Sequence, residues 1–490
     1  MKNKLKKYPL FLFLLPVFFV LHGYTENYDF VPVKDAALLV GIYFLSSFIL
    51  LILFRLIYKN WQKAALMAFL IMCYHFFFGS MKDFLTNAFP GSFLTQYIFI
   101  LPFSFCMIVM IFIILKRRKK PLQQFAYYLN LLFLLLILID AIWLAGKTTN
   151  RTGSGIAALP EEFRPCTDCS KPDVYVIIAD EYAGNKELKD IFHFDNSLFL
   201  TRLTERGFHV IPNSSSNYNY TPFSVASTLN MNYLDLQRAG KQPLLSYTYE
   251  ITRNNKLLRF LQCHHYTFYN YSQLDYIGQP AHIQENFLPV KTRLITSQTF
   301  VSRLKKEMRY HLVTWLKLES ETKKFTYNTR DNNKALFQLT MHSVLEKTKE
   351  PKFVLTHLMI PHYPYYFDKN GNEFPFETLH DGNQTNREHY IEYLQYGNKK
   401  ILELLDHIIK NSSSPPVIVL MGDHGFRHFD NPVDPEYIFY NLAAVRLPGK
   451  NYSAFPDSLT NVNLIRTVLN TTFNQQLPYL KDTAIFMANP

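Results

Sequence analysis

Cysteine is scarce, with five in 490 residues. Cys73 and Cys106 fall inside long apolar runs, where a thiol behaves as a small apolar group. Cys166 and Cys169 form a lone C-x-x-C, and a structural zinc site needs two further ligands. That leaves a local bridge across "CTDC", or a bridge from one of the two to Cys263, in a compartment where disulfides persist. A basic stripe interleaved with aromatics is also missing, so the pI of 9.2 does not point to nucleic acid. Internal repeats are absent. Acidic residues are absent from three short basic segments, 1–7, 55–63 and 116–120.

What the chain has in excess is apolar and aromatic residues, 48% and 16%, including 43 Phe and 32 Tyr. The excess sits in the first third, in five runs at 10–24, 36–58, 64–81, 94–115 and 125–145. The last four match the length of about 20 residues that a helix needs to cross a hydrocarbon core of ~30 Å. The first is shorter and follows a basic start, as in a signal peptide. No small-x-small cleavage pattern follows it, so it reads as a retained first helix. The basic segments hold twelve cations, among them Lys2, Arg55 and the run "KRRKK", and the net charge of the chain is +12. By the positive-inside rule these segments are cytoplasmic. Five spans that start inside end outside, which makes everything after Leu144 extracytoplasmic.

Residues 147–172 form a polar linker rich in Gly, Ser, Thr and Pro. Beyond it the pattern changes. "VYVIIAD" (174–180), "FHVIPN" (208–213), "KFVLTHLMI" (352–360), "VIVLMGD" (417–423) and "NLAAVRLPG" (441–449) read as strands. Residues 197–207 and 388–411 have the 3–4 residue apolar spacing of helices, with Gly207 as a stop. Strands alternating with helices predict an α/β domain with a mostly parallel central sheet. The expected organisation is a five-helix transmembrane domain over 1–146, the linker, and a catalytic domain over 173–490. Apolar residues recur every four positions over 300–318. This predicts either a surface helix packed on the core or an interfacial helix on the outer leaflet, with Trp315 at headgroup level.

Ligands bind at the carboxyl ends of strands in such sheets, and three of these ends carry unusual residues. One ends in Asp180-Glu181. A second ends in "GDHGFRH", with Asp423, His424 and, four residues on, His428. The third, "THLMIPHYP", carries His357 and His362. Carboxylates and imidazoles at converging strand ends suit zinc or manganese, with magnesium as a further candidate. Such an ion activates a nucleophile. Thr221 follows an Asn/Tyr/Ser-rich loop and precedes Pro222 at a plausible helix start. It reads as a helix cap or as an alkoxide nucleophile that a divalent cation would ionise.

These residues resemble the alkaline phosphatase/sulfatase superfamily, and in particular its membrane-anchored branch of phosphoethanolamine transferases and lipoteichoic acid synthases. The resemblance implies roles for particular residues. Glu181, Thr221, Asp423 and His424 would be metal ligands, with Thr221 also the nucleophile. Asp180 would lie beside the metal, as a further ligand or bonded to one, and matter less than Glu181. His362, His357, Ser224 and His428 would lie at the phosphate or at a second metal. The Cys/Ser-x-Pro-x-Arg sequence needed for formylglycine is absent, which excludes sulfate-ester hydrolysis by that route. The "P-C-M" that follows the nucleophile in the transferases is replaced by "VAS" (225–227). The activity implied is transfer of a phosphoethanolamine- or phosphoglycerol-type head group. It would pass from a membrane phospholipid to an envelope glycan or lipid, through a phosphothreonine. The alternatives are a phosphodiesterase with water as acceptor and a non-catalytic membrane scaffold.

Overall fold

A computed structural model describes residues 8–28, 31–89, 91–151, 159–166, 169–235, 237, 244–277, 279–281, 292–305, 323–324 and 326–487. The chain divides into two compact units. One is Met1–Gly153 with Gln284–Glu319, and the other is Ser154–Ile283 with Ser320–Pro490.

The first unit holds five apolar helices, α1 (Phe11–Glu26), α2 (Val33–Tyr58), α3 (Trp61–Ala88), α4 (Tyr97–Arg117) and α5 (Gln123–Arg151). Helices α2 to α5 are long and apolar enough to cross a membrane, and α1, at 16 residues, is shorter. Asn60 caps α3 by accepting from the N–H groups of Gln62 and Lys63. Lys63 Nζ in turn donates to the carbonyls of Lys116 and Arg118 at 3.3 and 2.7 Å, which ties two of the basic segments together.

A later stretch of chain joins these helices. Residues 292–305 pack on α1 and α3, where two glycines make room. Ile295 lies against Gly23, and the Gly79 N–H donates to the Gln298 carbonyl at 2.8 Å. Arg303 pairs with Asp83, and the Phe300 ring meets Phe78 edge-on at 4.9 Å. The amphipathic stretch read at 300–318 therefore packs, as far as Lys305, against helices of the first unit. Its remainder, with Trp315, lies outside the described residues.

The second unit is an α/β domain. Its chain order begins β1 (Val174–Ala179), α6 (Asn185–Asp190), α7 (Ser197–Glu205), β2 (His209–Val210), β3 (Asn213–Ser215) and α8 (Thr221–Asn230). It continues with α9 (Leu244–Arg253), α10 (Lys256–Cys263), β4 (Thr267–Tyr271), α11 (Asn328–Leu345) and β5 (Lys352–Leu358). It ends with α12 (Arg387–Asn411), β6 (Val417–Gly422), β7 (Ala443–Arg446), β8 (Ser458–Thr460) and α13 (Asn461–Phe473). The main sheet has the order β2-β7-β6-β1-β5-β4, and its ladders are parallel except those of β7. Alternate residues of β1 enter opposite layers, Val174, Val176 and Ile178 on one face and Tyr175, Ile177 and Ala179 on the other. Burial on both faces is why the strand reads as an unbroken apolar run.

Three details depart from the sequence reading or resolve it. The strand read at 208–213 pairs in the main sheet only at His209–Val210, because Pro212 has no N–H to continue the ladder. Gly207 does end α7, with φ +80°. Cys166 and Cys169 form a disulfide, so Cys263 is not part of that bridge.

Candidate active site

The sheet register brings the unusual strand ends together. Ala179 lies opposite Gly422, so Asp180 and Asp423 leave adjacent strands side by side. On the other side of β1, Ile178 lies opposite His357. Thr221 opens α8 after an extended Tyr220, with proline in the first turn. Gly425 is required by close approach: a Cβ there would lie 2.5 Å from both Glu187 Oε2 and the Tyr440 carbonyl.

Hydrogen bonds fix the side chains. Asp423 Oδ1 accepts from the N–H groups of Glu181 and His424 at 2.8 and 2.9 Å. Ser224 Oγ donates to the Asp423 carbonyl at 2.6 Å, so this serine joins α8 to the end of β6. The Gly425 carbonyl lies 2.8 Å from His424 Nδ1, which must carry the proton there. In the neutral ring Nε2 then presents a lone pair, and the Thr221 hydroxyl donates to it at 3.2 Å. His362 Nδ1 donates in the same way to the Tyr363 carbonyl at 2.5 Å. His357 Nε2 donates to Asp180 Oδ2 at 2.8 Å.

The donors fall into two groups whose ligand atoms lie within 4.8 Å of one another. Asp180, Asp423 and His424 make one, beside Thr221. Glu181, His362 and His428 make the other, with His428 Nε2 3.2 Å from Glu181 Oε1. The sequence reading grouped Glu181 with Asp423 and His424 and set Asp180 apart. In the structure Asp180 groups with Asp423 and His424, and Glu181, in a left-handed conformation with φ +59°, groups with His362 and His428.

Asp180 Oδ1, Glu181 Oε2 and Asp423 Oδ2 are buried and have no hydrogen-bond partner. Three orphaned carboxylate oxygens in one place are costly unless a cation meets them. With the neighbouring imidazole nitrogens they make an O/N donor set that fits zinc- or manganese-like ions.

Charge is arranged to match. Burial works to raise the pKa of Asp180, but the His357 hydrogen bond and the charges of His362 and His357 outweigh it and hold the carboxyl below its usual range. Burial lowers the affinity of His357 and His362 for a proton, yet Asp180, with Asp423, brings His357 above the usual histidine value, and Asp180 and Glu181 do the same for His362. For His428 burial prevails over the charge of Glu181 and its pKa is lowered.

A family model described as Sulfatase matches residues 173–468, more than half of the chain. The chain belongs to the sulfatase family. As in the sequence reading, this sulfatase-family domain follows an N-terminal set of apolar helices. Among solved structures it is similar to the C-terminal periplasmic domain of EcEptC from Escherichia coli. That match has 15% identity and a TM-score of 0.39, over 65% of this chain and 86% of that one. The same domain in complex with Zn matches at 14% identity and TM-score 0.39, covering 64% and 87%. The phosphonate monoester hydrolase of Agrobacterium radiobacter matches at 11% and 0.38, covering 61% and 73%. No curated protein matches the sequence.

Some residues of this sulfatase-family site escaped the sequence reading. Arg427 Nε lies 3.7 Å from Glu181 Oε1, and its guanidinium stacks on Tyr220. The signal for it was available, an arginine two residues beyond Gly425 in a glycine-interrupted loop. Tyr390 had no such signal. It sits among the apolar positions of α12, yet its hydroxyl donates to the Glu181 carbonyl at 2.8 Å and accepts from the Ala183 N–H at 3.0 Å.

Proposed function

We propose that the chain is a membrane-bound phosphotransferase that moves a phospholipid-derived head group, of phosphoethanolamine or phosphoglycerol type, to an envelope glycan or lipid. The observation that carries this reading is the Thr221 hydroxyl oxygen, 3.2 Å from His424 Nε2 and so within reach of an ion held by that nitrogen, beside three unpartnered carboxylate oxygens. Asp180, Asp423 and His424 would hold one divalent ion and Glu181, His362 and His428 a second. When bound, such ions supply positive charge that lowers the pKa of a nearby hydroxyl and neutralises charge on the ester. Thr221 Oγ attacks phosphorus and gives up its proton to solvent, and the bond from phosphorus to the diacylglycerol oxygen breaks. That oxygen takes up a proton. The acceptor hydroxyl then displaces Thr221, which regains its proton. The positive end of the α8 dipole lies at Thr221 and favours the negative charge that develops there. Helices α1–α5, read as spans, tether the catalytic unit extracytoplasmically to the membrane that carries its donor, which raises effective concentration.

Thr221→Ala is expected to abolish turnover while leaving bound metal unchanged, read by metal analysis and lipid turnover on the same preparation. Full activity in this variant would remove Thr221 as nucleophile. Mass spectrometry of the purified protein is expected to find a substituted phosphate on Thr221, whose mass names the head group. With labelled phospholipid, label on a glycan or lipid supports transfer, and label released as a soluble phosphoester makes water the acceptor.

A further inference from the structure

We propose that Arg427, held on the face of Tyr220, is the anchor for the anionic tetrahedral group of the substrate. The assignment rests on the phosphotransferase reading above. Arg427 Cζ lies 4.6 Å above the Tyr220 ring, within the range of a cation–π contact. Tyr220 is the residue before Thr221, so the same short stretch sets the position of both the guanidinium and the hydroxyl. The backbone is fixed as well, because the Arg427 N–H donates to Glu181 Oε1 at 3.2 Å.

The side chain is left incomplete. Its Nε is buried and has no hydrogen-bond acceptor. Glu181 Oε1, at 3.7 Å, is too distant to serve, and it already accepts from the Arg427 backbone and lies 3.2 Å from His428 Nε2. A buried guanidinium N–H without an acceptor carries a desolvation cost that an anion would remove. Among the described residues no other lysine or arginine comes within 4 Å of Asp180, Glu181 or Asp423. A cation held by Glu181 weakens the hold of that carboxylate on the guanidinium and leaves its donors for the ester oxygens. A planar fork suits a tetrahedral oxyanion better than a point charge does.

The test is inorganic phosphate binding to the full-length protein in detergent, loaded with zinc or manganese, with metal content and melting temperature measured alongside. Arg427→Lys, which keeps charge and loses the fork, is expected to weaken phosphate binding by about tenfold. Arg427→Met should weaken it further, with metal content and melting unchanged. Tyr220→Leu should weaken it as well, and Tyr220→Phe should restore it. Phosphate binding by Arg427→Met equal to that of the parent would overturn the assignment. Loss of metal together with phosphate would also overturn it, since Arg427 would then act only through Glu181. If the loaded parent binds no phosphate, it is the phosphotransferase reading that fails.

Discussion

Glu187 is a carboxylic acid sealed into the second unit. Its Oε2 accepts from the Phe426 N–H at 3.3 Å, its Oε1 has no partner, and it packs under Gly425. Burial, and after the opposing Phe426 hydrogen bond the charge of Glu181, hold its pKa well above the ordinary carboxylate value. A group raised in this way adds stability below its unfolded pKa, about 4.3, and that stability is lost as pH rises toward the folded value. Glutamine keeps the carbonyl acceptor and does not titrate. Glu187→Gln is therefore expected to match the parent near pH ~4 and to exceed it increasingly toward neutrality. Thermal unfolding across pH would show this, and parallel curves would contradict it. Residues of this kind divide sharply in legibility. Asp180, Glu181, Asp423 and His424 stand out in the sequence because charge ends an apolar run. Glu187 lies in "NKELKD", where an acid looks like ordinary surface, and only the fold puts it inside.

The turn after β1 is held in strain. Glu181 at φ +59° is a left-handed conformation in a residue with a Cβ, which costs roughly 1–3 kcal/mol. Tyr390 on α12 clamps both sides of the turn through a single hydroxyl. Tyr390→Phe leaves a buried carbonyl and a buried N–H unmet, at about 1–3 kcal/mol for each such group. The expected result is a lower melting temperature together with weaker divalent-ion binding, followed by calorimetric titration. Unchanged ion affinity would mean that the turn holds Glu181 without the clamp. Elements, like residues, were legible where their burial is apolar. Strands β1 and β6 are continuous apolar runs, and β5 carries the apolar core Phe353–Leu355, so all three read as strands. Strand β4 was not, because "TFYNY" includes Asn270, which is buried and bonds to the carbonyls of Leu274 and Gln279. Helix α11 hid behind Asn333, whose side chain bonds both ways to the backbone of Met359 and breaks the apolar spacing.

Across the whole molecule, five apolar runs and their flanking cations announce the first unit in the sequence. The return of residues 292–305 to it has no such announcement. It depends on Gly23, Gly79 and Asp83, the last 215 residues from Gln298, and nothing local marks these three as a dock. A Cβ at Gly79 would lie 2.0 Å from Gln298 Oε1 and 2.6 Å from its backbone oxygen. Gly79→Leu is expected to undock the segment and speed tryptic cleavage at Arg293 and Arg303 in the full-length protein. An unchanged cleavage rate would mean the packing tolerates the side chain. The same connection orders biosynthesis. Chains emerge N-terminus first, so the dock on α1 and α3 exists before the segment that fills it. Glu181 and Thr221 leave the ribosome ahead of that segment, and His362, Asp423, His424 and His428 follow it. Both donor groups therefore wait for residues made after the segment, and a fragment begun at Ser154 would be born carrying a passenger with no berth.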